Sequence, residues 1–351
     1  MKIDRVHFYT KDAIKTKDWF VRNLGFKEVS RYTSKQIHTE IIALNSACLV
    51  FSSPLTNNNP VANYLKSHPS GVADVVFRVK DIQSIIDRVW DLGLKILQPL
   101  QILKSSAGEF KQIKIQGWDC LQHTLIEDTS SDAEETTPDL ADSQITDIDH
   151  IVLNVPAGKL NSAVKLYQNL FGFKVQQSFN IQTKTSGLYS QALIDDNGGV
   201  QFNINEPASN NSQIQEFINF NGGSGIQHLA LRSQNLLDDV TRMQQNNVPF
   251  LKIPQIYYDR LDKTLNLTSE ELQAIAKRQI LVDRDRLKST ASKDNTQSLL
   301  MQIFTQPIFE KPTFFLEFIE RRHQARGFGQ GNFKELFAAV EREQTRSAMS
   351  I

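Results

Sequence analysis

Two histidines and one glutamate stand in strand-like segments of the second half of this 351-residue chain. His150 lies in "DHIVLNVP", His228 in "SGIQHLAL" and Glu317 in "TFFLEFIE". An uncompensated carboxylate such as Glu317 is costly to bury in an apolar strand, so either a cation beside it or protonation of the carboxyl group is expected. Two imidazoles and one carboxylate facing one cavity make the facial triad of non-haem Fe(II) oxygenases, which leaves positions open for substrate and O₂. We therefore predict one metal site here; the same donor set also accepts zinc.

The equivalent positions of the first half carry other residues. "SGVADVVF" (70–77) repeats the frame of "SGIQHLAL" (224–231), with Asp74 where the second half has His228. Arg5 corresponds to His150, and we align Glu127 with Glu317. One arginine and two carboxylates can pair with each other, so we expect the first half to be a scaffold that binds no metal.

The strands that must position these residues belong to an internal repeat. "IDRVHFYTKDAIKTKDWFVRNLGFKEV" (3–29) aligns with "IDHIVLNVPAGKLNSAVKLYQNLFGFKV" (148–175), and both predict a strand, an amphipathic helix and a Gly-Phe turn into another strand. We predict an α+β chain of duplicated βαβββ units forming, by analogy, two half-open barrels. The expected domains are a degenerate barrel without metal over 1–128, an acidic linker over 129–147 and a catalytic barrel over 148–351.

Two segments of the second half have no counterpart in the first. "LTSEELQAIAKR" predicts a helix with Thr268 as N-cap. The C-terminal "GFGQGNFKELFAAVEREQ" (327–344) has closely spaced glycines and then a helical pattern. We interpret these glycines as a flexible hinge and the helix as a gate that closes over the cavity and excludes water.

Composition excludes several classes of protein. The chain has 39 basic and 39 acidic residues, which gives no electrostatic footprint for nucleic acid or for a membrane surface. No apolar run approaches the length of a spanning helix, and the N-terminal sequence does not resemble a signal peptide. Two cysteines provide neither a disulfide framework nor a thiolate metal cluster. We expect a soluble, cytoplasmic protein that forms no complex with nucleic acid or membrane.

The chain resembles the 4-hydroxyphenylpyruvate dioxygenases of the vicinal-oxygen-chelate superfamily. The resemblance covers nearly the whole chain and is carried by ordered blocks such as "DHIVLNVP", "NGGSGIQHLAL", "LLMQIFTQP", "TFFLEFIERR" and "GFGQGNFKELF". It implies conversion of 4-hydroxyphenylpyruvate, an aromatic 2-oxo acid, and O₂ into homogentisate and CO₂, a reaction that serves either tyrosine catabolism or the synthesis of quinones and tocopherols. It also implies one Fe(II) per chain, bound by His150, His228 and Glu317. The sequence leaves both a monomer and a homo-oligomer open.

The same resemblance implies the residues of the substrate pocket. Catalytic roles fall on Asn205, Gln213, Gln227, Gln302 and Phe333. Substrate-binding roles fall on Ser190, Phe304, Phe315, Phe328 and Asn332. Neutral amides can orient a phenol by hydrogen bonds, and phenylalanine rings can clamp its ring. At one position the chain departs from the family, which usually has proline where this sequence has Asn203.

Two other functions compete with ring hydroxylation. Hydroxymandelate synthase has the same metal ligands and substrate but oxidises the benzylic carbon. The presence of Asn205 and Phe333, which match the dioxygenases, favours ring hydroxylation. A binding protein of the same superfamily is the third possibility; an intact set of metal ligands and pocket amides argues against it.

Overall fold

The computed structural model describes residues 1–105, 108–128, 143–182, 186–261, 265, 267–284 and 298–332. The first half contains the following elements in order: β1 (Lys2–Tyr9), α1 (Ala13–Leu24), β2 (Lys27–Thr33), β3 (Ile37–Leu44), β4 (Ala47–Pro54), α2 (Pro60–Ser67), β5 (Gly71–Arg78), α3 (Ile82–Asp91), β6 (Ile96–Ser105), β7 (Gly108–Gln116) and β8 (Gln122–Asp128).

Within the described residues, the second half repeats this order and adds two helices. Its elements are β9 (Ile145–Asn154), α4 (Leu160–Phe171), β10 (Lys174–Gln182), β11 (Gly187–Ile194), β12 (Gln201–Pro207), α5 (Gln213–Asn221), β13 (Gly225–Ser233), α6 (Leu236–Gln245), α7 (Gln255–Asp259), α8 (Ser269–Arg278), β14 (Leu281–Arg284), β15 (Leu299–Phe304) and β16 (Phe315–Arg322).

Both halves form an eight-stranded sheet with the same topology. The strand orders are β2-β3-β4-β1-β5-β8-β7-β6 and β10-β11-β12-β9-β13-β16-β15-β14, so each strand has a counterpart at the same place in the other sheet. In each sheet two central antiparallel strands, β1 with β5 and β9 with β13, are flanked by parallel neighbours. The sheets curl into half-barrels, which confirms the predicted α+β fold of duplicated βαβββ units.

Local sequence signals position the helices as expected. The Gly-Phe turns end α1 and α4, where Gly25 and Gly172 have φ of 83° and 75°. These left-handed conformations suit glycine, which has no Cβ to clash with the backbone. Thr268 caps α8 in a full capping box with Glu271, as the sequence predicts.

One hydrophobic core extends through both halves. Buried apolar side chains of the two sheets belong to a single contact cluster. Phe77 and Phe171 pack edge-on at 5.2 Å, and the indole of Trp118 donates a 3.1 Å hydrogen bond to Ser224 Oγ. The first half therefore supports the second through direct packing. None of the helices in the described ranges has the length and apolar character needed to cross a membrane.

Two expectations concern segments at the edge of the described residues. Strand β9 begins at Ile145, inside the segment predicted to be linker, while residues 129–142 lie outside the described residues. A helical turn starts at residues 330–332, where the gating helix is expected. The rest of that helix, including Phe333, also lies outside them.

Two histidines of the first half, His123 in the core and the partly buried His7, predict that the protein loses stability in acid. Burial lowers the pKa of both His7 and His123 from 6.5 to about 4. Between these values the unfolded chain binds more protons than the folded chain, so the free energy of unfolding falls as the pH falls from 6.5 to 4. The slope is about 1.4 kcal/mol per pH unit for each histidine.

Urea unfolding at several pH values measures this effect. The double variant His7→Asn/His123→Asn should lose less stability than wild type between pH 7 and pH 4, even if it is less stable at pH 7. Equal losses in both proteins would show that these histidines do not account for the acid sensitivity.

Candidate metal centre and adjoining cavity

The three candidate ligands lie on three adjacent central strands, His150 on β9, His228 on β13 and Glu317 on β16. Ala230 of β13 is the cross-strand partner of both His150 and Glu317. His228 precedes Ala230 by two residues and therefore faces the same side of the sheet. The sheet pairing thus brings the two imidazoles and the carboxylate together on the concave face.

The ligand atoms are close enough to share one ion. His150 Nε2 and His228 Nε2 lie 3.3 and 3.5 Å from Glu317 Oε2. All three side chains are buried, and the three ligand atoms lie within 4.8 Å of one another. No other group of histidine, cysteine or acidic residues in the described ranges meets this geometry.

The pKa values of the three candidate ligands are shifted by burial and by their mutual contact, and they keep Glu317 negatively charged beside the imidazoles. Burial works to lower the pKa of His150, but the carboxylates of Glu317 and Asp149 outweigh it and raise that pKa to about 9. Burial works to raise the pKa of Glu317, yet the two imidazoles hold it at about 2. Burial lowers the pKa of His228. A metal ion would replace the proton on His150, so metal affinity should rise with pH.

Two β-bulges shape the site. The pairing of β9 with β13 shifts register next to His150 and again next to His228. A bulge allows consecutive residues to face the same side. Asp149 consequently lies beside His150, with Oδ1 3.0 Å from Nδ1, and Gln227 lines the same cavity as His228.

Asp149 fixes the orientation of the His150 ring. It accepts two hydrogen bonds from Arg321, of 2.6 and 2.7 Å, and one of 2.9 Å from Arg232. Although burial opposes ionisation, Arg321 and His150 hold the pKa of Asp149 well below its usual range. The ionised carboxylate accepts a hydrogen bond from the N–H of His150 Nδ1 and leaves Nε2 directed at Glu317. Such a partner behind a ligating histidine is typical of metal sites.

A cavity of about 630 Å³, including space open to solvent, adjoins the ligand group. Eight of the predicted pocket residues line it: Ser190, Asn205, Gln213, Gln227, Gln302, Phe304, Phe315 and Phe328. Asn332 does not line this cavity but contacts Gln302. Phe333 lies outside the described residues. The structure therefore brings most of the predicted set together around the metal ligands.

The phenylalanines also pack on the metal-binding imidazoles. Phe315 stacks on His228 with ring centroids 4.7 Å apart, and Phe328 lies edge-on to His150 at 5.4 Å. Phe304 is edge-on to both His228 and Phe315. These rings orient the histidines as well as forming the apolar wall of the cavity.

The cavity amides differ in their hydrogen bonding. Asn205 Nδ2 donates to Asn154 Oδ1 at 3.2 Å. Asn203 is 6% exposed, and its Oδ1 has no hydrogen-bond partner among the described residues. An unpaired buried amide on a cavity wall is suited to contact a bound molecule. Gln302 instead has both amide atoms bonded to the protein.

Sequence reasoning assigned no role to Asp149 and Arg321, nor to the apolar walls of the cavity. Those walls are Val152, Ile181, Leu188 and Ile214. Strict alternation along β9 would turn Asp149 away from His150, and only the bulge reverses this. The adjacent acidic residue in "DIDHIV" was the available signal.

The first half corrects one alignment. Asp74 pairs with Gln122 as His228 pairs with Phe315, so two residues further on Thr124 is the counterpart of Glu317. Glu127 is not; its Oε2 accepts a 2.6 Å bond from the first backbone N–H of α3. Glu320 makes the equivalent 2.7 Å bond to α6.

The first-half residues that correspond to the metal ligands form hydrogen bonds and ion pairs with other residues of the first half. Asp74 accepts from Thr124 Oγ1 at 2.6 Å and forms a 2.9 Å ion pair with Lys114. Arg5 pairs with Asp4 at 2.7 Å rather than with Asp74. Asp4 also binds Arg78, which repeats the pair of Asp149 with Arg232. The aspartate–arginine pair therefore belongs to the shared scaffold, and the ligand set is particular to the second half.

Comparison with known proteins identifies a family model that matches both halves and relatives that cover nearly the whole chain. The sequence model of the Glyoxalase/Bleomycin resistance protein/Dioxygenase superfamily matches residues 2–115 and 147–262. An uncharacterized protein of Synechocystis sp. is 36% identical over 97% of both chains. The 4-hydroxyphenylpyruvate dioxygenase of Dictyostelium discoideum is 31% identical over 97% of both chains. A mutant of 4-hydroxymandelate synthase from Streptomyces coelicolor is structurally similar, with a TM-score of 0.86, 25% identity and 98% coverage of both chains.

Proposed function

Because the chain belongs to the 4-hydroxyphenylpyruvate dioxygenase family of the Glyoxalase/Bleomycin resistance protein/Dioxygenase superfamily, we propose that it is an Fe(II)-dependent dioxygenase. Its proposed reaction converts 4-hydroxyphenylpyruvate and O₂ into homogentisate and CO₂. The observation that carries this proposal is the buried group of His150, His228 and Glu317 at a cavity lined by amides and phenyl rings.

The donor set fits a ferrous ion. Two histidines and one carboxylate on one side of an ion leave open positions for the two oxygens of a 2-oxo acid and for O₂. When bound, Fe(II) would anchor the 2-oxo acid and supply electrons to O₂, so no separate cosubstrate is needed. Atoms balance, since the substrate loses its carboxyl carbon as CO₂ and both oxygen atoms of O₂ enter the products.

The side chains around the ligands would bind and orient the substrate. Gln213 and Gln227 line the cavity together with Asn203, whose Oδ1 has no hydrogen-bond partner in the described part of the chain. Neutral amides can hold the carboxylate, carbonyl or phenol oxygens without adding charge. Phe304 and Phe328 would contact the aromatic ring.

A second candidate is benzylic hydroxylation of the same substrate. The structural similarity to a 4-hydroxymandelate synthase mutant favours it. We prefer ring hydroxylation because Asn205, the residue that matches the dioxygenases, is buried on the cavity wall. A binding protein that performs no chemistry is the alternative of another class.

Oxygen uptake distinguishes an enzyme from a binding protein. Protein loaded with Fe(II) should consume one O₂ and release one CO₂ for each 4-hydroxyphenylpyruvate, and chelator-treated protein should consume none. Restoring Fe(II) should restore uptake, whereas zinc should not, because zinc has no redox chemistry. Iron-loaded protein that binds the 2-oxo acid without consuming O₂ would contradict the proposed activity.

A further inference from the structure

A series of hydrogen bonds connects Glu317 with α7, a helix that follows α6 and has no counterpart in the first half. Gln302 Nε2 donates to Glu317 Oε1 at 2.8 Å. The other oxygen, Oε2, is the one near both His150 and His228. Gln302 therefore determines which carboxylate oxygen faces the imidazoles.

The series continues through two more side chains. Asn332 Nδ2 donates to Gln302 Oε1 at 3.0 Å, and Asn332 Oδ1 lies 3.0 Å from the hydroxyl of Tyr257 on α7. That hydroxyl also accepts a 2.8 Å bond from Val282 N, which fixes its position at the start of β14. Gln302 and Asn332 are each 2% exposed, so water cannot readily replace a lost partner.

The carboxylate of Glu317 determines which atom donates and which accepts in each of these hydrogen bonds. An ionised carboxylate only accepts hydrogen bonds, so Gln302 must direct its NH₂ group at Glu317 and its oxygen at Asn332. Asn332 must then present its NH₂ group to Gln302 and its oxygen to Tyr257. Only a donor satisfies that oxygen. The single proton of the Tyr257 hydroxyl has two acceptors at 3.0 Å, Asn332 Oδ1 and the carbonyl oxygen of Val282, and of the two only Asn332 Oδ1 continues the series of hydrogen bonds to Glu317.

The same residues attach the 328–332 segment to the site. Gln302 Nε2 is 3.2 Å from the carbonyl oxygen of Phe328, and Gly331 N donates to Asp283 Oδ2 at 2.7 Å. A Cβ at Gly329 would overlap Gln302 Oε1, which shows how closely the segment covers this amide. Movement of the segment would thus remove partners from Gln302.

We propose that Tyr257 is a positioning residue that acts through Asn332 and Gln302 to hold Glu317 with Oε2 toward the metal. Metal binding and the seating of residues 328–332 are then mutually dependent, since each favours the same arrangement of Gln302. The inference rests on the metal site of the proposed function.

Tyr257→Phe tests this role with a matched control on the neighbouring residue. Tyr258 is also buried on α7, but its hydroxyl has no hydrogen-bond partner among the described residues. Co²⁺ titration without substrate should show the dissociation constant raised about 10-fold in Tyr257→Phe, as for the loss of other partners behind metal ligands. Tyr258→Phe should bind Co²⁺ within twofold of wild type.

Hydrogen exchange measured by mass spectrometry gives a second readout. Co²⁺ should slow amide exchange in residues 327–332 of wild type and of Tyr258→Phe, and should slow it much less in Tyr257→Phe. The double variant Tyr257→Phe/Asn332→Leu should bind Co²⁺ no more weakly than Asn332→Leu alone, because both changes interrupt the same series of hydrogen bonds.

The outcomes separate this inference from the proposed function. Wild type that binds no Co²⁺ would overturn both. Wild type that binds Co²⁺ while Tyr257→Phe shows the same affinity and the same protection would overturn only the role of Tyr257. Additive losses in the double variant would also overturn it.

Discussion

His228→Ala is expected to abolish metal binding and turnover while the chain remains folded. The change removes one of three protein ligands, and the remaining His150 and Glu317 cannot hold the ion on one face of its coordination sphere. We expect iron content close to zero after desalting and a turnover rate lowered by on the order of 10³ or more. Metal analysis, oxygen uptake and circular dichroism measure the three effects.

His7→Ala is the matched control for this variant. His7 is likewise a histidine on a central strand, but it lies in the first half, where it contacts Ser52 Oγ at 2.8 Å. It should retain stoichiometric iron and near-normal turnover, although its stability changes. If His228→Ala kept stoichiometric iron and full activity, the assignment of the metal site would be wrong.

Gly329→Ala should lower kcat/KM by on the order of 100-fold. The added Cβ would overlap Gln302 Oε1, so either Gln302 must release Glu317 or the 328–332 segment must move away from the cavity. The first change misorients a metal ligand, and the second admits water to the site. Steady-state kinetics and the ratio of O₂ consumed to product formed measure both consequences.

Gly327→Ala is the control that distinguishes the effect of the overlap with Gln302 from the effect of backbone strain. Gly327 also has a left-handed φ, of 88° against 72° for Gly329, but a Cβ there would have its nearest neighbour at 4.0 Å. Strain alone costs about 1–2 kcal/mol in either variant. Equal losses in the two variants would show that close packing on Gln302 does not matter for activity.

The sequence predicts the duplicated architecture and the metal ligands for one physical reason. Repeated strands occupy repeated places in a sheet, so comparing Asp74 with His228 identifies the position where the second half differs. The comparison fails for Glu127 because its alignment depends on the register between strands. Thr124, not Glu127, shares the register of Glu317.

Other features of the site depend on bulges and on contacts between distant residues, which the alternation of apolar and polar residues along a strand does not predict. Asp149 reaches His150 only because a bulge places consecutive residues on one face. The glycines of "GFGQG" suggest a hinge, yet at Gly329 the structure requires glycine for close contact with Gln302. Tyr257 stands 75 residues before its partner Asn332. No local pattern links them, so their contact had to come from the fold.

Product identification after one aerobic incubation with Fe(II) and 4-hydroxyphenylpyruvate tests the central claim most directly. The proposed function predicts homogentisate as the main product, in the same amount as the CO₂ released. Chromatography against authentic standards resolves homogentisate from 4-hydroxymandelate. If 4-hydroxymandelate were the main product, ring hydroxylation would be contradicted while the metal site would stand.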